Sequence, residues 1–112
     1  DAEALAGITA DLAAEGYTGD LTEDGALIGN VIDVQNTPID DAVVTGHEDF
    51  PVYYASETGF DGASTNALAN SFFAIPAAPI FTYACDAEGY VFDSVLAGSQ
   101  SGYAVFIDFN AI

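Results

Sequence analysis

The spacing of the hydrophobic residues changes near Gly16. Upstream of it, apolar residues recur every three or four positions, which is the spacing of one face of a helix. These residues are Ala2, Leu5, Ile8 and Leu12. Acids at Asp1 and Glu3 suit a helix N-terminus, and Gly16 supplies a stop. The pattern therefore predicts a short amphipathic helix over residues 1–15.

An extended arm is the alternative for the same segment. Gly7 and Thr9 lower its helix propensity. In that case Leu5, Ile8 and Leu12 would pair with another chain, and they are the candidate assembly residues. We expect a chain that lacks residues 1–16 to fold but not to assemble.

Downstream of residue 25 the chain consists of short apolar runs separated by turn residues. Seven runs are predicted to be strands: Ala26–Val34, Asp41–Thr45, Val52–Ala55, Phe72–Ile75, Ile80–Cys85, Tyr90–Val95 and Tyr103–Phe109. Short strands with frequent turns are typical of an antiparallel β-sandwich. The sequence thus predicts an all-β domain over residues 26–112, preceded by the helix or arm of residues 1–25.

Four segments of this domain occur in a familiar order. They are Gly29–Asp33, Thr37–Val44, Thr65-Asn66 with Asn70–Pro76, and Phe81–Tyr90. Their order and residues resemble the carboxypeptidase regulatory-like, or transthyretin-like, domains. The resemblance covers about residues 26–109, and it implies a seven-stranded Greek-key sandwich used as an accessory, adhesive or structural module. It implies no catalytic residue.

The sequence departs from that family pattern in three places. Asp41 stands where the family usually has glycine, and Asn70 or Ser71 replaces a second glycine. The Gly46–Ser64 connection is also longer than a simple hairpin. These departures concern the conformations of loops more than the sandwich.

The charge is entirely one-sided. The 112 residues include no Lys or Arg but 18 Asp and Glu, for a formal net charge of −18. Nucleic acids and anionic membranes need basic contacts, so both are poor partners. Each carboxylate must instead rely on water, backbone N–H groups, a bound metal ion or its own protonation.

Calcium is the metal that this composition favours, because it binds carboxylate and carbonyl oxygens. The first candidate ligands are Asp20, Glu23 and Asp24 in one cluster and Asp40 and Asp41 in another. Neither cluster matches an EF-hand loop, and solvated turn acids are the alternative interpretation. No other cofactor is predicted.

The sequence contains little that could support catalysis. His47 is the only histidine, and no G-x-S-x-G turn is present. Cys85 is the only cysteine, so no intrachain disulfide forms; it is expected to be a small buried hydrophobic residue, with an intermolecular disulfide as the alternative. We therefore predict that the protein is not an enzyme.

These observations favour a secreted structural protein. No stretch approaches the roughly 20 apolar residues of a membrane span, and the chain starts at Asp1 as a mature secreted chain would. The first hypothesis is a subunit of an extracellular or cell-surface polymer that assembles with copies of itself through its arm and sheet edges, with calcium assisting. The alternative is a monomeric module that binds protein or carbohydrate, with Phe50, Tyr53 and Tyr54 available to stack on sugar rings.

Overall fold

The computed structural model describes residues 2–112, with side chains described from Gly7 onward. Two helices come first, α1 (Ala2–Ala13) and α2 (Leu21–Asp24), and a 3₁₀ turn lies at Ala67–Ala69. The strands are β1 (Ala26–Ile32), β2 (Val43–Thr45), β3 (Tyr53–Tyr54), β4 (Phe72–Pro76), β5 (Phe81–Asp86), β6 (Val95–Ala97), β7 (Ala104–Phe106) and β8 (Phe109–Asn110). The chain is thus mostly β, with the N-terminal segment helical rather than extended.

The strands form two sheets. The larger sheet has the order β3-β4-β1-β7, with β8 also pairing with β1, and the smaller sheet has the order β2-β5-β6. Pairing is antiparallel within the smaller sheet and between β1 and β4, whereas β7 and β8 run parallel to β1. The prediction of a wholly antiparallel sandwich is therefore wrong at the two C-terminal strands.

Strand β1 separates two hydrophobic cores. Leu27 and Val31 point into the core between the two sheets, where they meet Val44 and Tyr83 of the smaller sheet. Ala26 and Ile28 point to the opposite face, which the helical segment covers. Because successive side chains of a strand alternate between faces, an unbroken apolar run is what a strand buried on both sides requires.

The boundaries of α2 follow from local hydrogen bonds. Asp20 is its N-cap, and its carboxylate accepts the backbone N–H of Thr22. Gly25 ends the helix at φ 73°, and a Cβ at this position would overlap the carbonyl oxygen of Gln100. The helix therefore turns directly into β1 at a residue that no larger side chain could replace.

The last predicted strand, Tyr103–Phe109, is divided into β7 and β8. The pairing with β1 keeps one register across the break, because Ile28 lies opposite Phe106 and Val31 opposite Phe109. Between them, the Asp108 carboxylate accepts the backbone N–H of Asn30 at 3.1 Å. The ladder is thus interrupted by a side chain that takes the place of a backbone carbonyl.

The predicted strand Tyr90–Val95 is displaced. The strand observed there is β6, which begins at Val95 and continues to Ala97. Tyr90 instead forms an isolated bridge with Ala87, and Phe92 one with Ala111. The apolar run is therefore a connection that closes the end of the sandwich, and periodicity alone could not distinguish this from a strand.

The residues predicted to stand in place of glycine share one backbone conformation. Asp41, Asn70 and Ser71 have φ values of 59°, 59° and 49°. This left-handed region is the one that glycine adopts most readily. These three turn residues thus adopt a backbone conformation that a glycine would adopt at lower cost.

Gly29 provides a test of the β1–β7 arrangement. The carbonyl oxygen of Ile107 occupies the space that a Cβ of residue 29 would need. We expect Gly29→Ala to lower the free energy of unfolding by about 2–4 kcal/mol, measured by urea denaturation. Gly7→Ala is the control, because its Cβ would meet nothing within 4 Å. It should stabilise α1 by about 0.5–1 kcal/mol; equal effects of the two substitutions would contradict this packing.

Candidate interaction surfaces

Backbone N–H groups serve as partners for several carboxylates. The Asp33 carboxylate accepts the N–H groups of Gln35 and Thr37 at 2.8 and 3.0 Å, which ends β1 in a turn. The Asp40 carboxylate accepts the N–H of Ala67 at 2.6 Å and so ties two connections together. These bonds are the intramolecular partners expected of acids in a chain without Lys or Arg.

The first candidate calcium cluster lies at α2. Asp20 is occupied as the N-cap, and its bonds to Thr22 lower the pKa of its carboxyl. The Asp24 carboxylate accepts the hydroxyl of Tyr17 at 2.6 Å. Burial, followed by this bond and the charge of Asp24, raises the pKa of Tyr17. Glu23 is exposed in the same turn.

The second candidate cluster lies on the connection between β1 and β2. Asp40 is engaged with Ala67, whereas Asp41 is exposed in its left-handed turn. In the part of the chain whose side chains are described, no group of three or more His, Cys, Asp or Glu is placed to hold a metal ion. Calcium binding by either cluster stays a prediction.

Two of the three candidate assembly residues of α1, Ile8 and Leu12, face their own chain. Leu12 is fully buried in the core formed with Leu21 and Ile28, and Ile8 packs against the same core. The Thr9 hydroxyl accepts the backbone N–H of Leu21 at 3.0 Å, which fixes α1 against α2. The side chain of Leu5 lies outside the described residues. With the helix docked in this way, Leu12 is not available to a neighbouring chain.

This docking gives α1 a measurable role in stability. We expect Leu12→Ala to lower the free energy of unfolding by about 2–5 kcal/mol, because the substitution leaves a cavity above the larger sheet. Leu68→Ala is the matched control, since Leu68 is 78% exposed and should change stability by less than about 0.5 kcal/mol. A Leu12→Ala protein as stable as the control would mean that α1 is not held on the sheet in solution.

The aromatic residues first considered for sugar binding have different environments. Tyr54 is buried, and its hydroxyl accepts the N–H of Val44 at 2.8 Å. Tyr53 is half-buried, and its ring packs edge-on against Tyr17, with ring centroids 6.4 Å apart. Phe50 is half-buried and packs against His47 at 5.3 Å. Tyr54 is therefore a core residue, and only Phe50 lies near a surface depression.

That depression lies at one end of the smaller sheet, where β2 ends and β5 begins. It has an open volume of about 370 Å³ and is lined by Gly46, His47, Glu48 and Phe81. His47 packs edge-on between Phe50 and Phe81, with its centroid 5.5 Å from the Phe81 ring. The backbone of Gly46 lies against the Tyr83 ring, where a Cβ would overlap the ring atoms. The lining thus combines an exposed apolar ring with an imidazole and a carboxylate.

His47 has no nucleophile among its described partners. Its Nδ1 accepts the backbone N–H of Asp49 at 3.2 Å, and the Asp49 carboxylate lies 3.8 Å from the same atom. Its other contacts are the rings of Phe50 and Phe81. A hydrolytic triad needs a nucleophile within hydrogen-bond reach of the imidazole, so these contacts describe a packed loop residue.

Cys85 is a half-buried free thiol on β5 that packs against the core between the sheets. Burial, and then the charge of Asp86, raise the pKa of this thiol to about 12. Because the thiolate is the reactive form, a raised pKa makes the thiol inert near neutral pH. This environment agrees with the expectation of a small hydrophobic residue.

Thiol titration tests this environment. At pH 8 we expect Cys85 of the folded protein to react with a disulfide reagent roughly a thousandfold more slowly than in the denatured chain. The folded-state rate should keep rising with pH up to the pKa near 12, because the thiolate fraction grows throughout that range. The denatured control should level off near pH 9, and identical pH profiles would contradict the burial.

The larger sheet ends in an open edge at β7. Backbone bonds join Ala26 N–H to the Tyr103 carbonyl and Ile107 N–H to the Ile28 carbonyl. In a parallel ladder this pattern directs alternate residues to the partner strand, so the N–H groups of Ala104 and Phe106 point away from β1. Among residues 2–112, no strand pairs with β7 on that side. Tyr103 and Phe106 are 61% and 68% exposed beside the edge.

No protein-family model and no curated protein sequence matches this chain. The resemblance to carboxypeptidase regulatory-like domains therefore stays a prediction. Within residues 2–112, none of the helices has the length and apolar character needed to cross a membrane.

Proposed function

We propose that the protein is a non-catalytic structural subunit that assembles with copies of itself into an extracellular polymer. The observation that carries this proposal is the open edge of β7, with its unpaired N–H groups and exposed aromatic side chains. An uncovered edge strand is a template for pairing with another chain. The sheet edge takes the role first assigned to the N-terminal arm, because α1 is docked on its own sheet.

Pairing of a strand from one copy with the β7 edge of another suits a chain with no basic residues. The affinity of such a contact comes from main-chain hydrogen bonds, and side-chain pockets supply its specificity. Neither source requires a cation, which the chain lacks almost completely. Phe106 lies opposite Ile28 in the β1–β7 pair and is exposed at the edge of the sheet. Its ring can therefore add apolar contact beside the new strand pair.

The net charge sets the conditions for assembly. Two copies of −18 each repel one another at neutral pH and low salt. Salt screens this repulsion, protonation removes part of it as the pH falls toward the pI of about 4.1, and divalent cations can bridge carboxylates. Calcium is proposed to bridge carboxylates of neighbouring copies in this way. Of the candidate clusters, the exposed carboxylates of Glu23 and Asp41 are available for such bridging.

We also propose a more specific fold for the two sheets. A Greek-key sandwich of the carboxypeptidase regulatory-like kind is supported by the position of the quoted segments on β1, β4 and β5. Accessory and structural modules of that kind carry no catalytic residues, which agrees with the packing of His47 and Cys85. A secreted or cell-surface location is supported by the acidic composition alone.

Particle size tests the assembly. Sedimentation and negative-stain imaging of the full chain should give large ordered particles as salt is raised or the pH approaches 4.1. Phe106→Pro should abolish them, because it removes an outward N–H donor and leaves the bonds of Tyr103 and Ile107 to β1 in place. Phe106→Ala is the control that removes the ring and keeps the donor.

The same measurement separates the mechanisms. Particles that disperse when a chelator removes added calcium would support cation bridging, whereas particles indifferent to chelator would place the adhesion in the strand edge alone. A chain that stays monomeric in every condition would contradict the polymer.

A monomer would favour the second candidate, a carbohydrate- or protein-binding module. The specific observation for it is the depression of about 370 Å³ at the end of the smaller sheet. The Phe81 ring offers an apolar surface, and the Glu48 carboxylate and the His47 imidazole offer hydrogen-bond partners for hydroxyl groups. This combination suits a sugar ring better than the positions of Tyr53 and Tyr54 do.

A further inference from the structure

The open depression at the end of the smaller sheet offers a ligand three kinds of side chain. Gly46 contributes only backbone to its lining, because a Cβ at this position would overlap the Tyr83 ring. The remaining lining residues are His47, Glu48 and Phe81. A group that enters the depression therefore meets an imidazole, a carboxylate and a phenyl ring.

Aromatic rings follow one another along this site. The centroid of the His47 ring lies 5.3 Å from that of Phe50 and 5.5 Å from that of Phe81. The Phe81 ring is 39% exposed, and its other aromatic neighbour is Tyr83, at 5.9 Å. A cation within about 6 Å of a ring centroid is attracted by the negative face of the ring. The Phe81 ring can therefore attract a cation as well as cover an apolar group.

The charge at this site is negative. Glu48 is exposed, and the Asp49 carboxylate, itself 77% exposed, lies 3.8 Å from Nδ1 of His47. The same Nδ1 accepts the backbone N–H of Asp49, so the imidazole in this arrangement is neutral and carries its proton on Nε2. Because the chain contains no Lys or Arg, a permanently charged basic group for these carboxylates has to come from outside it.

We propose that this depression, which we call the Phe81 site, binds an arginine side chain of a basic partner protein. A planar guanidinium can stack on the Phe81 ring while its N–H groups donate to the Glu48 carboxylate. The net charge of −18 attracts cations to the surface and repels anions. A sugar ring would gain the stacking but nothing from the charge. The inference goes beyond the proposed polymer and depends on none of its contacts.

The form of the site favours a side chain presented by a protein over a free small molecule. Small-molecule pockets measure roughly 300–1,000 Å³ and enclose most of their ligand. The Phe81 site, at about 370 Å³, is near the lower limit and open to solvent. The rest of the affinity must therefore come from the surface that presents the arginine. A second copy of the chain has no basic side chain to insert, so the partner is a different polypeptide.

Salt should weaken binding at the Phe81 site. The attraction between a cation and the acidic surface is screened as the Debye length falls from about 30 Å at 0.01 M salt to about 10 Å at 0.1 M. The proposed polymer responds in the opposite direction, because salt screens the repulsion between its copies. A measurement at low salt therefore observes the Phe81 site under conditions that disfavour assembly.

A proton NMR titration of the full chain tests the site. His47 is the only histidine, so its ring C–H signals report on the depression without further assignment. We expect N-acetylarginine amide to shift these signals saturably, with a dissociation constant in roughly the millimolar range that rises between 0.01 and 0.1 M salt. N-acetylcitrulline amide is the matched ligand control, because it has nearly the same shape without the charge, and it should leave the signals in place.

Two substitutions test the lining. Glu48→Gln should raise the dissociation constant of the arginine probe about two- to fivefold, because it removes the carboxylate and keeps the shape. Phe81→Leu should act to a similar extent, because it removes the aromatic face and keeps an apolar side chain. Glu88→Gln is the matched control, since it changes the net charge equally but lies on the turn at the far end of β5, and it should leave the constant unchanged.

Four results would overturn the inference. Equal effects of Glu48→Gln and Glu88→Gln would mean that general surface charge accounts for the binding. Shifts caused by methyl glucoside and not by the arginine probe would identify a carbohydrate site instead. Tighter binding of choline than of the arginine probe would replace the protein partner with a free organic cation. No shift with any probe would remove the site altogether. None of these results bears on the polymer, which particle size tests separately.

Discussion

Strand β1 must be buried on both of its faces, and most of the structure follows from that requirement. Leu27 and Val31 fill the core between the sheets, and Ala26 and Ile28 fill the core beneath the helices. The strand is also saturated along its length, because β4 pairs with one side and β7 and β8 with the other. A strand that is apolar on both faces needs a layer above and a layer below. The helical segment is therefore one of the layers that the sheet needs.

The absence of basic residues shapes the rest of the molecule. Carboxylates take backbone N–H groups as partners, and in doing so they fix turns: Asp20 starts α2, Asp33 ends β1, and Asp40 joins the β1–β2 connection to the 3₁₀ turn. Asp108 does the same within the C-terminal strand, where its carboxylate interrupts the ladder. These acids act through local geometry, since the chain contains no Lys or Arg.

The lack of basic residues also limits how two copies of the chain can associate. A surface without cations can be joined to a copy of itself only through main-chain hydrogen bonds, apolar contact or added counterions. The β7 edge offers the first.

Hydropathy and charge along the sequence determined the mostly β character and the dependence of acids on backbone partners, and they favoured a helix at the N-terminus while leaving an extended arm open. Spacing carries that information, because an apolar face repeats every 3.6 residues in a helix and every second residue in a strand. The positions of β1, β4 and β5 were close to the predicted runs for the same reason. Tyr90–Val95 was misplaced because its apolar residues serve a closing loop, which has the same composition as a strand.

Only the tertiary structure decided where Leu12 points, that Tyr54 is a core residue, and that Ile80 and Leu96 are exposed. Each of these depends on register and layer order, which bring together residues far apart in the chain. An amphipathic helix fits its own sheet and a neighbouring one equally well by its sequence. The chain selects its own sheet because α2 turns directly into β1 at Gly25, which holds α1 beside the apolar face that β1 leaves open.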